Sequence, residues 1–92
     1  MTMYQVRLER SAEKDLQKLA RSEPLSFKKA LALMDELYIH PKTGTGHPEQ
    51  LKGGHNNQWS RRISQKHRLI YEIRDTEVIV IVISAYGHYS DK

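Results

Sequence analysis

Six β-branched residues in succession, Val78-Ile79-Val80-Ile81-Val82-Ile83, constrain this chain more than any other segment. Valine and isoleucine are stiff at the first side-chain torsion and pack well on a pleated surface. The run is far shorter than the roughly 18–20 apolar residues a membrane-spanning helix requires. It predicts a central strand buried on both faces, so the rest of the chain must supply its neighbours and its cover.

The covering elements are legible upstream. Tyr4, Val6 and Leu8 alternate with Gln5 and Arg7, which predicts a first strand over residues 3–9. Ser11 suits an N-cap, with Glu13 and Asp15 in the first turn, and Ala12, Leu16, Leu19 and Ala20 follow at helical spacing to about Ser22. Pro24 suits the first turn of a second helix, whose stripe is Phe27, Ala30, Leu31, Met34, Leu37 and Tyr38, closed by His40-Pro41. Residues 41–58 carry Gly44, Gly46, Pro48, Gly53 and Gly54 and read as a long ordered loop of the functional kind.

Strands are then expected over Gln58–Ser64, His67–Arg74 and Glu77–Ala85. The order β-α-α-β-β-β predicts an α+β fold: two N-terminal helices on a mostly antiparallel sheet of four to five strands, as one domain over residues 1–92. The hairpin is predicted to turn through Gln65, Lys66 and His67, pairing Ser64 with Arg68 and Ile63 with Leu69. That register puts Trp59, Arg61, Ile63, Leu69, Tyr71 and Ile73 on the helix-facing side. It puts Ser60, Arg62, Ser64, Arg68, Ile70 and Glu72 on the other. A two-residue loop would pair Ile63 with Arg68 and mix the two sets. Trp59 therefore reads as core, His67 as a turn residue, and His47 and His55 as loop surface. Arg62 and Arg68 meet on the far face, where either Glu72 or a phosphate would relieve their repulsion.

The charge is distributed to the same end. The 92 residues carry a net charge of +4 and no cysteine, which excludes a disulfide frame and a thiolate metal site. Residues 1–40 hold seven Lys/Arg against six Asp/Glu, whereas residues 41–68 hold six (Lys42, Lys52, Arg61, Arg62, Lys66, Arg68) against Glu49 alone. A basic stretch around one carboxylate points to an anionic partner, nucleic acid being the commonest. With no membrane span and no apolar leader, the chain is expected in the cytoplasm.

The segments His47-Pro48-Glu49-Gln50-Leu51-Lys52, Trp59-Ser60-Arg61-Arg62-Ile63, His67-Arg68-Leu69-Ile70-Tyr71 and Tyr86-Gly87-His88-Tyr89 together resemble the YoeB/Txe branch of the RelE toxin superfamily. The resemblance covers nearly the whole chain and is most specific from Gly46 to Tyr71. It implies the RelE-like microbial RNase fold and the toxin half of a type II toxin–antitoxin pair. Members of the family enter the ribosome and cut mRNA in the decoding site. By motif position Glu49 matches the general base, Arg68 the arginine on the scissile phosphate and His88 the general acid. Arg62 and Lys52 match further basic groups, and Tyr89 the neighbouring aromatic. Two departures are visible: Gly87 separates Tyr86 from His88 where some relatives run Tyr-His-Tyr, and the chain continues through Ser90, Asp91 and Lys92. Tyr86 is thus a second candidate for the ring that stacks on a base. The implied partners are mRNA, the ribosome, a YefM/Phd-like antitoxin and, as in relatives, a second copy of the chain; no cofactor is implied.

The residue types suit the chemistry on their own. RNA can be cut by attack of its own 2′-hydroxyl on the adjacent phosphate. That needs a base, an acid for the leaving 5′-oxygen and positive charge on the phosphoryl oxygens, and each proton-transfer group is worth roughly 10²–10⁴-fold. The competing expectation is a binding module of the same fold without catalysis, acting on RNA, the ribosome or a target such as gyrase.

Overall fold

The β-branched run finds a hydrogen-bonded neighbour on each side, as the two rows of backbone polar groups on a buried strand demand. The computed structural model describes residues 3–52 and 57–87. Its elements run β1 (Gln5–Leu8), α1 (Arg10–Ser22), α2 (Pro24–Leu37), β2 (Glu49–Gln50), β3 (Gln58–Arg62), β4 (Arg68–Arg74) and β5 (Ile79–Ser84). The five strands form one sheet in the order β1-β5-β4-β3-β2. β1 lies parallel to β5, and the other pairings are antiparallel. This is the predicted two-helix α+β arrangement, with the short β2 as the fifth strand.

Both helices pack on one side of the sheet. Ala12, Leu16 and Leu19 of α1 and Ala30, Leu33 and Leu37 of α2 meet Ile63, Leu69, Tyr71, Ile73, Val80, Val82 and Ala85. Among the described residues the other side has no helix. The burial of β5 consequently alternates, with Val80 and Val82 buried and Ile79, Ile81 and Ile83 half-buried, so the strand is covered on one face and not on two. It also starts two residues later than expected, at Ile79. Val78 ends the turn from Asp75 with φ +57°, an uncommon conformation for a β-branched residue, and its carbonyl accepts from the N–H of Gln5.

Two helix expectations are corrected. The stripe of α2 is rotated: Leu33 is in the core, while Leu31 and Tyr38 are 42% and 41% exposed. A helix of 3.6 residues per turn offers either neighbouring stripe, and the position of α1 selects between them. Ser11 does not cap α1, whose N-cap is Glu9, and Ala20 is exposed. The Ser11 hydroxyl donates to the Ile83 carbonyl at 2.6 Å, and Asp15 accepts from the Ala85 N–H at 2.9 Å. These two side chains serve backbone groups near a register shift between β4 and β5, where Ile70 pairs with Ser84 but Tyr71 pairs with Val82.

The hairpin register also differs. Arg62 pairs with Arg68, Arg61 with Leu69 and Trp59 with Tyr71. The loop is still three residues long, but it is Ser64 to Lys66, because Ile63 donates to the His67 carbonyl and the Ser64 hydroxyl accepts from the N–H groups of Lys66 and His67. Pairing sums shift by two residues, so every side chain keeps its predicted face. Trp59 is half-buried against the core as expected.

The long loop is organised by one side chain. Arg61 is fully buried among the apolar residues of its face. Its Nε donates to the Tyr71 hydroxyl (3.0 Å), Nη1 to Glu36 (2.6 Å) and to the Thr45 carbonyl (3.3 Å), and Nη2 to the carbonyls of Thr43 (2.8 Å) and His40. All five guanidinium N–H groups are thereby used. Tyr71 donates onward to the Pro41 carbonyl at 2.8 Å, and Glu36 accepts from the Thr45 N–H at 2.9 Å. Gly44 has φ +119°, and a Cβ there would stand 2.3 Å from the Glu36 carboxylate. The loop therefore needs glycine at that point, both for its backbone angle and for the close approach.

Removing the guanidinium would leave a carboxylate and several carbonyls without their donor. Arg61→Leu is expected to destabilise the protein by about 3–5 kcal/mol in urea titrations. An unchanged midpoint would contradict the hub. Burial raises the Glu36 carboxyl, but hydrogen bonds from Thr45 and Arg61 outweigh it and hold the group below its ordinary value. Its stabilisation is complete above a pH of about 4.5 and is lost as the pH falls through the folded-state value. Thermal melts should show Tm dropping on acidification, with a smaller drop in Glu36→Gln. A slope remains in that variant, because the Glu23 and Asp75 carboxyls are also lowered by hydrogen bonds from their partners.

Candidate functional site

The face without helices carries most of the described candidates. Glu49 stands on the edge strand β2 directly opposite Ser60 of β3. Two residues along β3 on the same face is Arg62, and directly opposite Arg62 on β4 is Arg68. A diagonal neighbour across strands lies about 7–8 Å away, within reach of long side chains. Glu49, Arg62 and Arg68 therefore form a diagonal across three strands. Glu49 and Arg62 are exposed and Arg68 is half-buried. Lys52, two residues beyond β2, is exposed.

Directly opposed arginines are unfavourable in a ladder. Glu72, on the same face, pairs with Arg74 at 2.7 Å. Two cations and one carboxylate on one sheet face make a site suited to a phosphodiester: guanidinium groups match phosphate oxygens, and a carboxylate can take a proton from a nearby hydroxyl. Among the described residues no group of three His, Asp or Glu side chains could hold a metal ion. No described helix is long and apolar enough to cross a membrane.

Glu49 owes its place to the Arg61 hub. The hub holds the carbonyls of residues 40, 43 and 45, and the next carbonyl along the chain, that of Gly46, accepts from the Arg62 N–H at 2.6 Å. Leu51 then donates to the Gln58 carbonyl at 2.8 Å. The loop thus enters the sheet edge in one register, with Glu49 on the open side. The strand alternation predicts Arg61 on the helix-facing side and does not show what neutralises its charge there. An arginine in an otherwise apolar set was the available signal.

His67 closes the hairpin turn but is 2% exposed, its ring directed inward. Its Nδ1 accepts from the Gly87 N–H at 2.9 Å and its Nε2 lies 2.8 Å from Glu23. The imidazole is 4.4 Å from the Tyr86 ring, over which Lys18 Nζ stands at 4.1 Å. Tyr86, the alternative stacking ring, is thereby packed between a histidine and a lysine. His88 and Tyr89 lie outside the described residues, as does His55.

A family model described as the YoeB-like toxin of bacterial type II toxin–antitoxin systems matches residues 8–89. The chain is 36% identical over 70 residues to the toxin YoeB of Streptomyces coelicolor, spanning 76% of this chain and 81% of that one. The solved YoeB/ParE toxin from Agrobacterium tumefaciens superposes with a TM-score of 0.83 at 29% identity, covering 92% of this chain and 99% of the other. A toxin chain in the heterotetrameric YoeB–YefM complex from Staphylococcus aureus superposes with a TM-score of 0.77 at 26% identity, covering 94% and 98%.

The opposed arginines give a test that needs no catalysis. Arg62→Gln removes one like charge and is expected to raise stability by about 0.2–1 kcal/mol. It should also weaken binding to a short single-stranded RNA. The slope of log K against log salt should become shallower by about 0.7, the loss of one phosphate contact. An unchanged slope in a fluorescence-anisotropy titration would remove Arg62 from the RNA interface.

Proposed function

Because the chain belongs to the YoeB-like toxins of bacterial type II toxin–antitoxin systems, we propose that it is an endoribonuclease that cuts mRNA in the ribosomal decoding site. The observation that carries this reading is the diagonal of Glu49, Arg62 and Arg68 on the open sheet face. Glu49 takes the proton from the 2′-hydroxyl, which attacks the adjacent phosphate. Arg68 and Arg62 balance the charge that builds on the phosphoryl oxygens, and Lys52 holds the backbone beside them. His88 returns a proton to the leaving 5′-oxygen. With the Tyr86 ring taken by His67 and Lys18, stacking on the base falls to Tyr89. The reaction conserves protons between base and acid and requires no cofactor.

The same face suits an antitoxin. A YefM-like partner would lay an acidic segment, folding as it binds, across the arginines and so deny them to RNA. The Staphylococcus aureus relative, solved with YefM, supports an antitoxin of that class.

The test is primer extension on mRNA translated in a purified system, with naked RNA beside it. Cuts at the decoding site only in the presence of ribosomes are expected. Glu49→Gln, Arg68→Ala and His88→Ala should each slow cleavage by roughly 10²–10⁴-fold and leave antitoxin affinity largely intact for Glu49→Gln and His88→Ala. Folded, antitoxin-free protein that cuts neither sample would contradict the reading in favour of a non-catalytic binding module.

A further inference from the structure

An acid at position 88 is useful only if the chain delivers it to the phosphate that Arg68 holds. The backbone leading to it is held by side chains from two directions. From α1, Ser11 donates to the Ile83 carbonyl, Asp15 accepts from the Ala85 N–H, and Lys18 covers the Tyr86 ring. From the start of β4 and the residue before it comes the closest grip. The Gly87 N–H donates to His67 Nδ1 at 2.9 Å, and the Gly87 carbonyl accepts from the Arg68 N–H at 3.0 Å. Both polar groups of Gly87 are thus engaged by two consecutive residues, the second of which is the phosphate-binding candidate. The next Cα after Gly87 is that of His88, one peptide unit or about 3.8 Å along the chain. Gly87 has φ +76°, a turn that glycine makes without steric cost.

His67 can do this in one protonation state. A backbone N–H only donates, so Nδ1 must be unprotonated, and the proton of the neutral ring sits on Nε2, where it is donated to Glu23. Glu23 stands between α1 and α2, as C-cap of one and N-cap of the other. The imidazole therefore ties the helical layer to the C-terminal segment across the end of the hairpin. A side chain that merely filled this volume would need neither nitrogen.

We propose that His67 is a positioning residue for RNA cleavage: through Nδ1, with Glu23 fixing the tautomer, it clamps Gly87, the residue that precedes His88 in sequence, beside Arg68. The role rests on the endonuclease reading above, with His88 as the acid.

Two substitutions of similar bulk separate the ring nitrogens. His67→Asn keeps an acceptor near the place of Nδ1 and loses the contact to Glu23. His67→Gln keeps a donor that reaches Glu23 and loses the Nδ1 acceptor. Each is compared with the unsubstituted protein by cleavage on programmed ribosomes, thermal melting and hydrogen exchange at the Gly87 amide. His67→Gln should lower kcat by roughly 10²-fold, the cost of a misplaced group, with KM for ribosomes unchanged and faster exchange at Gly87. His67→Asn should recover most of that kcat, although both variants lose stability. Equal kcat losses that follow the melting temperatures, or no loss in His67→Gln, would overturn the positioning role. If His67→Gln does not fold, Glu23→Ala carries the comparison at a partly exposed position. A fall in kcat of about tenfold at unchanged KM is then expected, and an unchanged kcat overturns the proposal. Should the unsubstituted protein itself cut no RNA, the endonuclease reading fails first. An active parent with an equally active His67→Gln defeats the clamp alone.

Discussion

A single buried guanidinium holds together the parts of this protein that packing alone would leave apart. Arg61 points from β3 into the helix-facing side of the sheet, where an unpaired charge would be prohibitive. It is tolerated because each of its five donors finds an acceptor, from Glu36 on α2 to the loop carbonyls and the Tyr71 hydroxyl. The chain between α2 and β3 contributes few buried apolar residues, so the hub does there what a hydrophobic cluster does elsewhere. Its consequence appears on the opposite face of the sheet. Once residues 40–46 are fixed, β2 can add to β3 in only one register, and Glu49 comes to stand diagonal to Arg62.

The sheet thus separates two tasks between its faces. The covered face supplies stability through the helices, the isoleucine, leucine and valine side chains and the Arg61 hub. The open face concentrates cations that the ladder itself disfavours, since Arg62 and Arg68 are direct partners. The segment after β5 joins the two layers: α1 and His67 hold it from the core side, and Gly87 is bonded to Arg68.

Much of this is legible in the amino-acid sequence. The β-branched run, the amphipathic spacing of α1 and the alternation in the hairpin predicted the layers and assigned each β3 and β4 side chain to its face, because a strand's period of two survives a register error of two residues. The error itself arose at Ser64, whose hydroxyl captures two backbone N–H groups and starts the turn one residue early. Periodicity could not choose between Leu31 and Leu33, which lie on adjacent stripes of α2. Nor could it reveal what would satisfy the side chains of Arg61 and His67, because their partners, Glu36 and Glu23, lie 25 and 44 residues away in sequence. The motif resemblance singled out Glu49, Arg62 and Arg68, which the fold brings to one face, and it was silent on the residues that hold them there.

The claim at the centre of this account is chemical: the open face cuts RNA by using the RNA's own 2′-hydroxyl, with Glu49 as base and His88 as acid. The ends of the cut strands test it most directly. mRNA cleaved by this protein on translating ribosomes should carry a 2′,3′-cyclic phosphate or its opened 3′-phosphate upstream and a 5′-hydroxyl downstream, and a 2′-deoxy substitution at the cut nucleotide should abolish cleavage. A 5′-phosphate on the downstream fragment, with cleavage persisting at the 2′-deoxy position, would mean that another nucleophile attacks and would contradict the account.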